Sequence, residues 1–138
     1  MVKKPDRLSI EKDKDRKLYN ILAKEIFKDI TRKDQFLFAM AFGYLYGTSI
    51  ELGAKEGFFL AKDMGPEDEA LLYALALKET DSIDLLANQA EVYRIAEQYA
   101  HGGIRHLHDQ VTSKQPGSFY KRFEKDVFKK LKNHLGSK

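Results

Sequence analysis

The sequence predicts a mainly α-helical fold, a compact bundle of about six helices with a short β-hairpin near residues 47–61. Three observations lead there. Apolar residues recur three and four positions apart through most of the chain, the period of one helix face. Helix-starting and helix-stopping residues punctuate those runs: Thr31, Gly47, Gly65-Pro66 and Ser118. Between residues 47 and 65 the helical period disappears and four glycines enter, Gly47, Gly53, Gly57 and Gly65. A loop of that length without structure is uncommon in a domain of this size, so two short extended pieces are expected near 49–52 and 57–60.

Each element follows in order. Residues 1–14 are polar and predict a flexible N-terminus. From Asp15 a helical stripe runs through Leu18, Ile21, Leu22, Ile26 and Phe27 and closes at Ile30. Thr31 with Asp34 three residues later resembles a capping box for a second helix over 32–46. That helix is apolar almost all round, which places it at the centre, and Gly47 suits its C-cap. Gly65-Pro66-Glu67-Asp68-Glu69 starts a third helix, with proline in the first turn and carboxylates at the positive end of the helix dipole. Thr80-Asp81-Ser82 breaks it and leads into a short helix, Ile83–Ala87. Asn88 opens the next pattern, which carries Val92, Tyr93, Ile95, Ala96 and Tyr99 until Gly102-Gly103 predicts a backbone break with Gly103 at positive φ. Ile104, Leu107 and Val111 continue beyond. Residues 15–112 therefore read as one helical domain, and 113–138 as a linker followed by an amphipathic, basic C-terminal helix.

Composition bounds the function. A chain of 138 residues with 43% hydrophobic and 33% charged residues is long enough for one domain with a real core. It has no cysteine, which excludes disulfides and thiolate chemistry. The opening Met1–Arg7 lacks the apolar core of a signal peptide, and the densest apolar run, Phe36–Tyr46, is about half a bilayer span. These features predict a cytoplasmic protein that makes no membrane contact. Charge is uneven: residues 1–35 carry 11 basic and 7 acidic groups, residues 51–100 carry 4 and 11, and residues 114–138 carry 8 and 2. Basic ends around an acidic middle fit either a polyanion contact or packing of the tail on the body.

No catalytic constellation emerges, so no enzyme activity, metal or cofactor is predicted. His101, His106 and His108 with Asp109 invite a metal reading, yet no second ligand cluster exists to close the site. Structural or surface histidines explain them better. Glu67, Asp68 and Glu69 are accounted for by the helix dipole. The glycines of 47–65 match neither a phosphate-binding loop nor a dinucleotide fingerprint. A helix-turn-helix from Ile83–Ala87 and Gln89–His101 would set Glu91 and Glu97 beside the lone Arg94, a combination that repels phosphate.

The C-terminal helix is the best interaction element. Phe119, Phe123, Val127 and Leu131 form one stripe, which either folds back on the acidic body or docks into a partner or a second protomer. Lys121, Arg122, Lys125, Lys129 and Lys132 supply an alternative, sequence-independent nucleic-acid contact.

Three blocks carry a resemblance: Asp34-Gln-Phe-Leu-Phe-Ala-Met-Ala-Phe-Gly-Tyr44, Glu69-Ala-Leu-Leu-Tyr-Ala-Leu-Ala-Leu-Lys-Glu-Thr80 and Ile95-Ala-Glu-Gln-Tyr-Ala-His-Gly-Gly-Ile104. Together they resemble the small accessory proteins associated with DNA phosphorothioation (Dnd) systems, over about residues 30–110. The resemblance implies company with DNA sulfur modification or the linked restriction machinery, with proteins of that system as partners. It brings no catalytic residues with it. The missing cysteine fits an accessory role, since sulfur transfer usually needs a thiolate carrier.

Overall fold

The computed structural model describes residues 5–112 and 118–136. Two strands and five α-helices follow in the order β1 (Arg7–Glu11), α1 (Lys14–Ala23), α2 (Arg32–Tyr46), β2 (Lys55–Leu60), α3 (Pro66–Thr80), α4 (Gln89–Val111) and α5 (Ser118–Gly136). Short 3-10 turns at Ala61–Asp63 and Ile83–Ala87 flank α3. The fold is mainly helical with one two-stranded antiparallel sheet, as expected, and one of the expected helices is a 3-10 turn.

Capping chemistry sets the ends of α2 and α3. Thr31 accepts a bond from the Asp34 N–H at 3.2 Å, and Gly47 closes α2 at φ 68° with Thr48 N–H reaching back to the Gly43 carbonyl. Pro66 opens α3, and the Asp68 carboxylate accepts the Gly65 N–H at 2.9 Å while pairing with Lys33 at 2.9 Å. That ion pair brings the N-termini of α2 and α3 together.

The sheet differs from the expected local hairpin. β2 falls within the expected region, but its partner is Arg7–Glu11, the segment read from sequence as flexible chain. Residues 49–52 form no strand. Ile50 N–H is bonded to the Gln98 carbonyl of α4, and Glu11 holds the N–H groups of Gly53 and Ala54 at 2.7 and 2.8 Å. Leu8 and Ile10 alternate inward with 0% and 2% exposure, a period of two masked in the sequence by charged neighbours. The register slips between Leu8 and Ser9, so that β2 carries one extra residue, Phe58. This bulge lets consecutive aromatics both turn inward: Phe58 packs on Tyr19 (4.4 Å between centroids) and Phe59 on Phe36 (5.3 Å).

Two helix boundaries also move. α1 ends at Ala23, not Ile30, and Asp29 at φ 63° turns the chain into α2 while Phe27 stays buried. The break expected at Gly102-Gly103 is absent, since α4 runs unbroken through both glycines. These residues serve close approach instead of bending. A Cβ on Gly103 would lie 1.8 Å from the Ala39 carbonyl oxygen, one on Gly102 1.7 Å from that of Thr48, and one on Gly43 2.1 Å from that of Tyr99. α2 and α4 thus cross with backbone against backbone, and this crossing is the centre of the molecule. Phe36, Met40, Val92, Ala96, Ile104 and Leu107 fill the core around it.

Candidate functional site

α5 lies along the body over α2 and the end of α4. Phe119 is buried, and the Phe123 ring packs at a tilt 5.5 Å from Phe42 and 5.6 Å from Phe38. Further along, Tyr46 donates to Asp126 at 2.9 Å and Lys130 sits 5.3 Å over the Tyr46 ring. Burial, together with Asp126, pushes the Tyr46 phenol up to about 12. Arg122 reaches the side chain and carbonyl of Gln110 on α4. Of the stripe picked out in the sequence, Phe119 and Phe123 contact the body, Val127 stands half-buried, and the Leu131 side chain lies outside the described residues. The linker at 113–117 lies outside them as well.

Between α5 and α3, the outer face of α2 is left uncovered. The sequence placed α2 wholly inside, but Ala41 and Tyr44 are exposed. With Phe38 and Leu45 they floor a groove of about 410 Å³, walled by Leu71, Ala74 and Lys78 of α3 and by Phe123 and Val127 of α5. Leu71 is 44% exposed at its rim. On α3 the spacing Leu71, Ala74, Lys78 follows one helix face. Among the described residues Lys78 is the one charge in the lining, so they offer contact area and almost no chemistry.

Several polar clusters lie elsewhere among the described residues and tie elements of the fold together. His101 Nδ1 lies 2.7 Å from Asp15 Oδ2 with both residues buried, and its Nε2 faces Glu11 at 3.8 Å. Backbone N–H groups of Ala54 and Gly53 hold the Glu11 carboxyl below its ordinary range. Glu97, buried on α4, accepts from Ser9 N–H at 2.8 Å and pairs with Lys55 at 2.9 Å, locking both strands to the helix. Tyr93 donates to Glu69 at 2.7 Å and Tyr99 to Glu79, and burial followed by those carboxylates raises both phenols. The three histidines considered as metal ligands are not brought together. His106 packs its ring on Tyr46 and Phe42, and His108 stands beside Asp109 at 3.7 Å. Among the described residues no group of three or more His, Asp or Glu side chains is arranged to hold a metal. Nor is any described helix long and apolar enough to cross a membrane.

Lys121, Arg122, Lys125, Lys129 and Lys132 are all exposed on α5. The groove itself was missed because its walls come from three separate helices. The signal available was the surplus of apolar residues on α2, more than one buried face needs.

Comparison with curated proteins and with solved structures gives no match. A family model does match, and it spans β1, the glycine crossing, the groove and most of α5. Over residues 7–130 the chain fits the model of DNA sulphur modification system-associated protein 4, and it belongs to that family.

Proposed function

We propose that this protein is an accessory interaction module of a DNA sulfur-modification or linked restriction system, and that it receives an apolar helix of a system partner in the groove between α2, α3 and α5. The groove carries the reading: an apolar trough walled by α3 and α5, with half-exposed Leu71 at its rim and half-exposed Tyr44 on its floor, is the shape that amphipathic helices dock into. A binding role also agrees with the state of the polar residues. The Asp15–His101 pair resembles two members of a catalytic triad, yet both side chains are buried, no nucleophile among the described residues is hydrogen-bonded to them and the second ring nitrogen faces Glu11.

The test is co-expression with the modification and restriction proteins of the same system, followed by purification under gentle conditions. Leu71→Asp places a charge in the groove mouth at a half-exposed position, where folding tolerates it. It should abolish the complex and leave the melting temperature within about 3 °C. A complex that survives Leu71→Asp and Ala74→Asp would remove the groove from the account.

A second reading is a sequence-independent nucleic-acid contact through Lys121, Arg122, Lys125, Lys129 and Lys132. Its support is that all five side chains are exposed on a helix whose apolar side faces the body. Such binding should weaken with salt at a slope near −0.9 per neutralised phosphate of duplex DNA, and no binding even at low salt would remove it.

A further inference from the structure

Sharing no residue with the groove, a recess of about 470 Å³ is bordered by α1 and α4. Lys14 and Lys17 line it from α1, and Arg105 and His108 from α4. Each pair is spaced i, i+3, so each occupies one helix face, and the two pairs look at each other across the opening. The geometry is fixed from behind: the buried bond between Asp15 and His101 ties α1 to α4 at the recess floor. Asp15 is a negative group in that floor: its Oδ2 is engaged by His101 and by the Glu11 N–H at 3.2 Å, and its buried Oδ1 has no hydrogen-bond partner. Asp109 stands at the rim, largely exposed.

What marks this recess among the described residues is that three cations without an ion-pair partner line one opening, whereas other such cations, Lys12, Lys24, Lys28, Arg32, Lys62 and Lys78 among them, do not line it. Arg16, Lys33, Lys55 and Arg94 each pair with a carboxylate within 4.0 Å. Among the described residues, Lys14, Lys17 and Arg105 have no carboxylate oxygen that close, although acidic side chains are abundant in the chain. Three cations without an ion-pair partner around a preformed opening suit an oxyanion from outside, with Asp109 at the rim free to swing away into solvent.

What surrounds the recess narrows the source of that oxyanion. One step around α4 from Arg105 and Asp109 lies Gln110, the residue that takes Arg122 from α5. The exposed ridge of α4 is therefore flanked by cations on both sides, from α1 and from α5. Packed helices lie about 8–10 Å apart, so these cations spread over roughly 16–20 Å. A single free phosphate or a lone carboxylate occupies a fraction of that width. A nucleic-acid strand, with a phosphate every 3.4 Å or so of rise, fills it.

We propose that the recess between α1 and α4 seats a backbone phosphate of a nucleic acid, with Lys14, Lys17 and Arg105 as its donors. The site is separate from the partner groove and does not depend on it. It extends the basic surface of α5 into a composite face made by three helices.

The experiment is fluorescence anisotropy of a labelled duplex of about 20 base pairs, titrated with the full chain at about 50 mM salt and repeated at higher salt. Lys17→Ala with Arg105→Ala should weaken binding by about tenfold or more and lower the salt slope by about two, since each lost phosphate contact removes about one. Both side chains are exposed, so melting should be unchanged, and this is checked on the same samples. Leu71→Asp in the groove should bind the duplex as the parent does. Three results would overturn the proposal. A double variant that binds and responds to salt like the parent, while Lys121→Glu with Lys125→Glu abolishes binding, assigns the contact to α5 alone. Polyglutamate binding as tightly as the duplex with the same Arg105 dependence assigns an acidic protein. Inorganic phosphate raising the melting temperature through Arg105, in a chain that does not bind the duplex, assigns a free oxyanion.

Discussion

Gly103→Ala tests the crossing of α2 and α4 with a prediction of opposite sign to that of simple helix propensity. Gly103 lies inside α4, so replacing it with alanine should by propensity alone stabilise the protein by about 1 kcal/mol. The packing argues the reverse. A Cβ at this position would lie 1.8 Å from the Ala39 carbonyl oxygen and 2.8 Å from Gly43 N, whereas real contacts essentially never fall below 3.0 Å. The two helices must therefore separate by roughly 1.2 Å, the difference between 3.0 and 1.8. Gaps of that size forfeit a quarter to a half of the dispersion energy of facing atoms, and overpacking of this kind typically costs about 3 kcal/mol at its upper range. The net expectation is about 2 kcal/mol of destabilisation. With about 2.1 cal/mol/K of unfolding entropy per residue over 138 residues, the melting temperature should fall by about 7 °C. Gly65→Ala is the control, because its nearest neighbour would be Asp68 Oδ2 at 4.0 Å and its φ of −86° suits any residue. It should shift melting by less than about 2 °C. Thermal unfolding followed by circular dichroism reads both. If Gly103→Ala melts higher than the parent by the roughly 3 °C that propensity alone supplies, the close crossing is wrong.

Other perturbations have equally definite outcomes. The Tyr19 hydroxyl is buried with no hydrogen-bond partner, so Tyr19→Phe should raise stability by about 1 kcal/mol in urea unfolding; a loss of stability would reveal a partner for the oxygen. His101→Ala strands the Asp15 carboxylate in the core and should cost about 3–5 kcal/mol, measured as a lower urea midpoint, with Asp15→Asn together with His101→Ala recovering part of it. Glu11 titrates below its ordinary value of 4.5 because the N–H groups of Ala54 and Gly53 favour its charged form. The unfolded chain then binds the proton more readily than the folded one, so this contribution is complete above pH 4.5 and is lost as the pH falls through the lowered value. Glu11→Gln should flatten the pH dependence of the urea midpoint below that pH, and an unaltered acid limb would disprove the linkage.

Local chemistry was legible in the sequence and long-range pairing was not. Thr31, Gly47 and Gly65-Pro66 act through neighbours within a turn, so their capping roles follow from sequence order. Arg7–Glu11 becomes a strand through Lys55–Leu60 and Glu97, and a five-residue alternation between Asp6 and Lys12 carries too little signal to predict that. Gly102-Gly103 was visible as an unusual feature, but glycine permits both a turn and a close approach, and only the position of Ala39 and Thr48 decides between them. The candidate site divides in the same way. The stripe of Phe119, Phe123 and Val127 was readable from one helix, whereas the groove needs faces of α2, α3 and α5 and the basic recess needs α1 beside α4.

The clamp formed by Glu97 has a consequence for how the chain matures. Synthesis delivers Arg7–Glu11 first, yet its strand partner begins at Lys55 and the carboxylate that receives the Ser9 N–H sits 88 positions downstream of it. Those early residues stay an unpaired edge until β2 has emerged and remain unclamped until α4 follows, and distant closures of this kind slow folding. Chaperone demand during translation should accordingly peak late, when nearly all of the body has already been made.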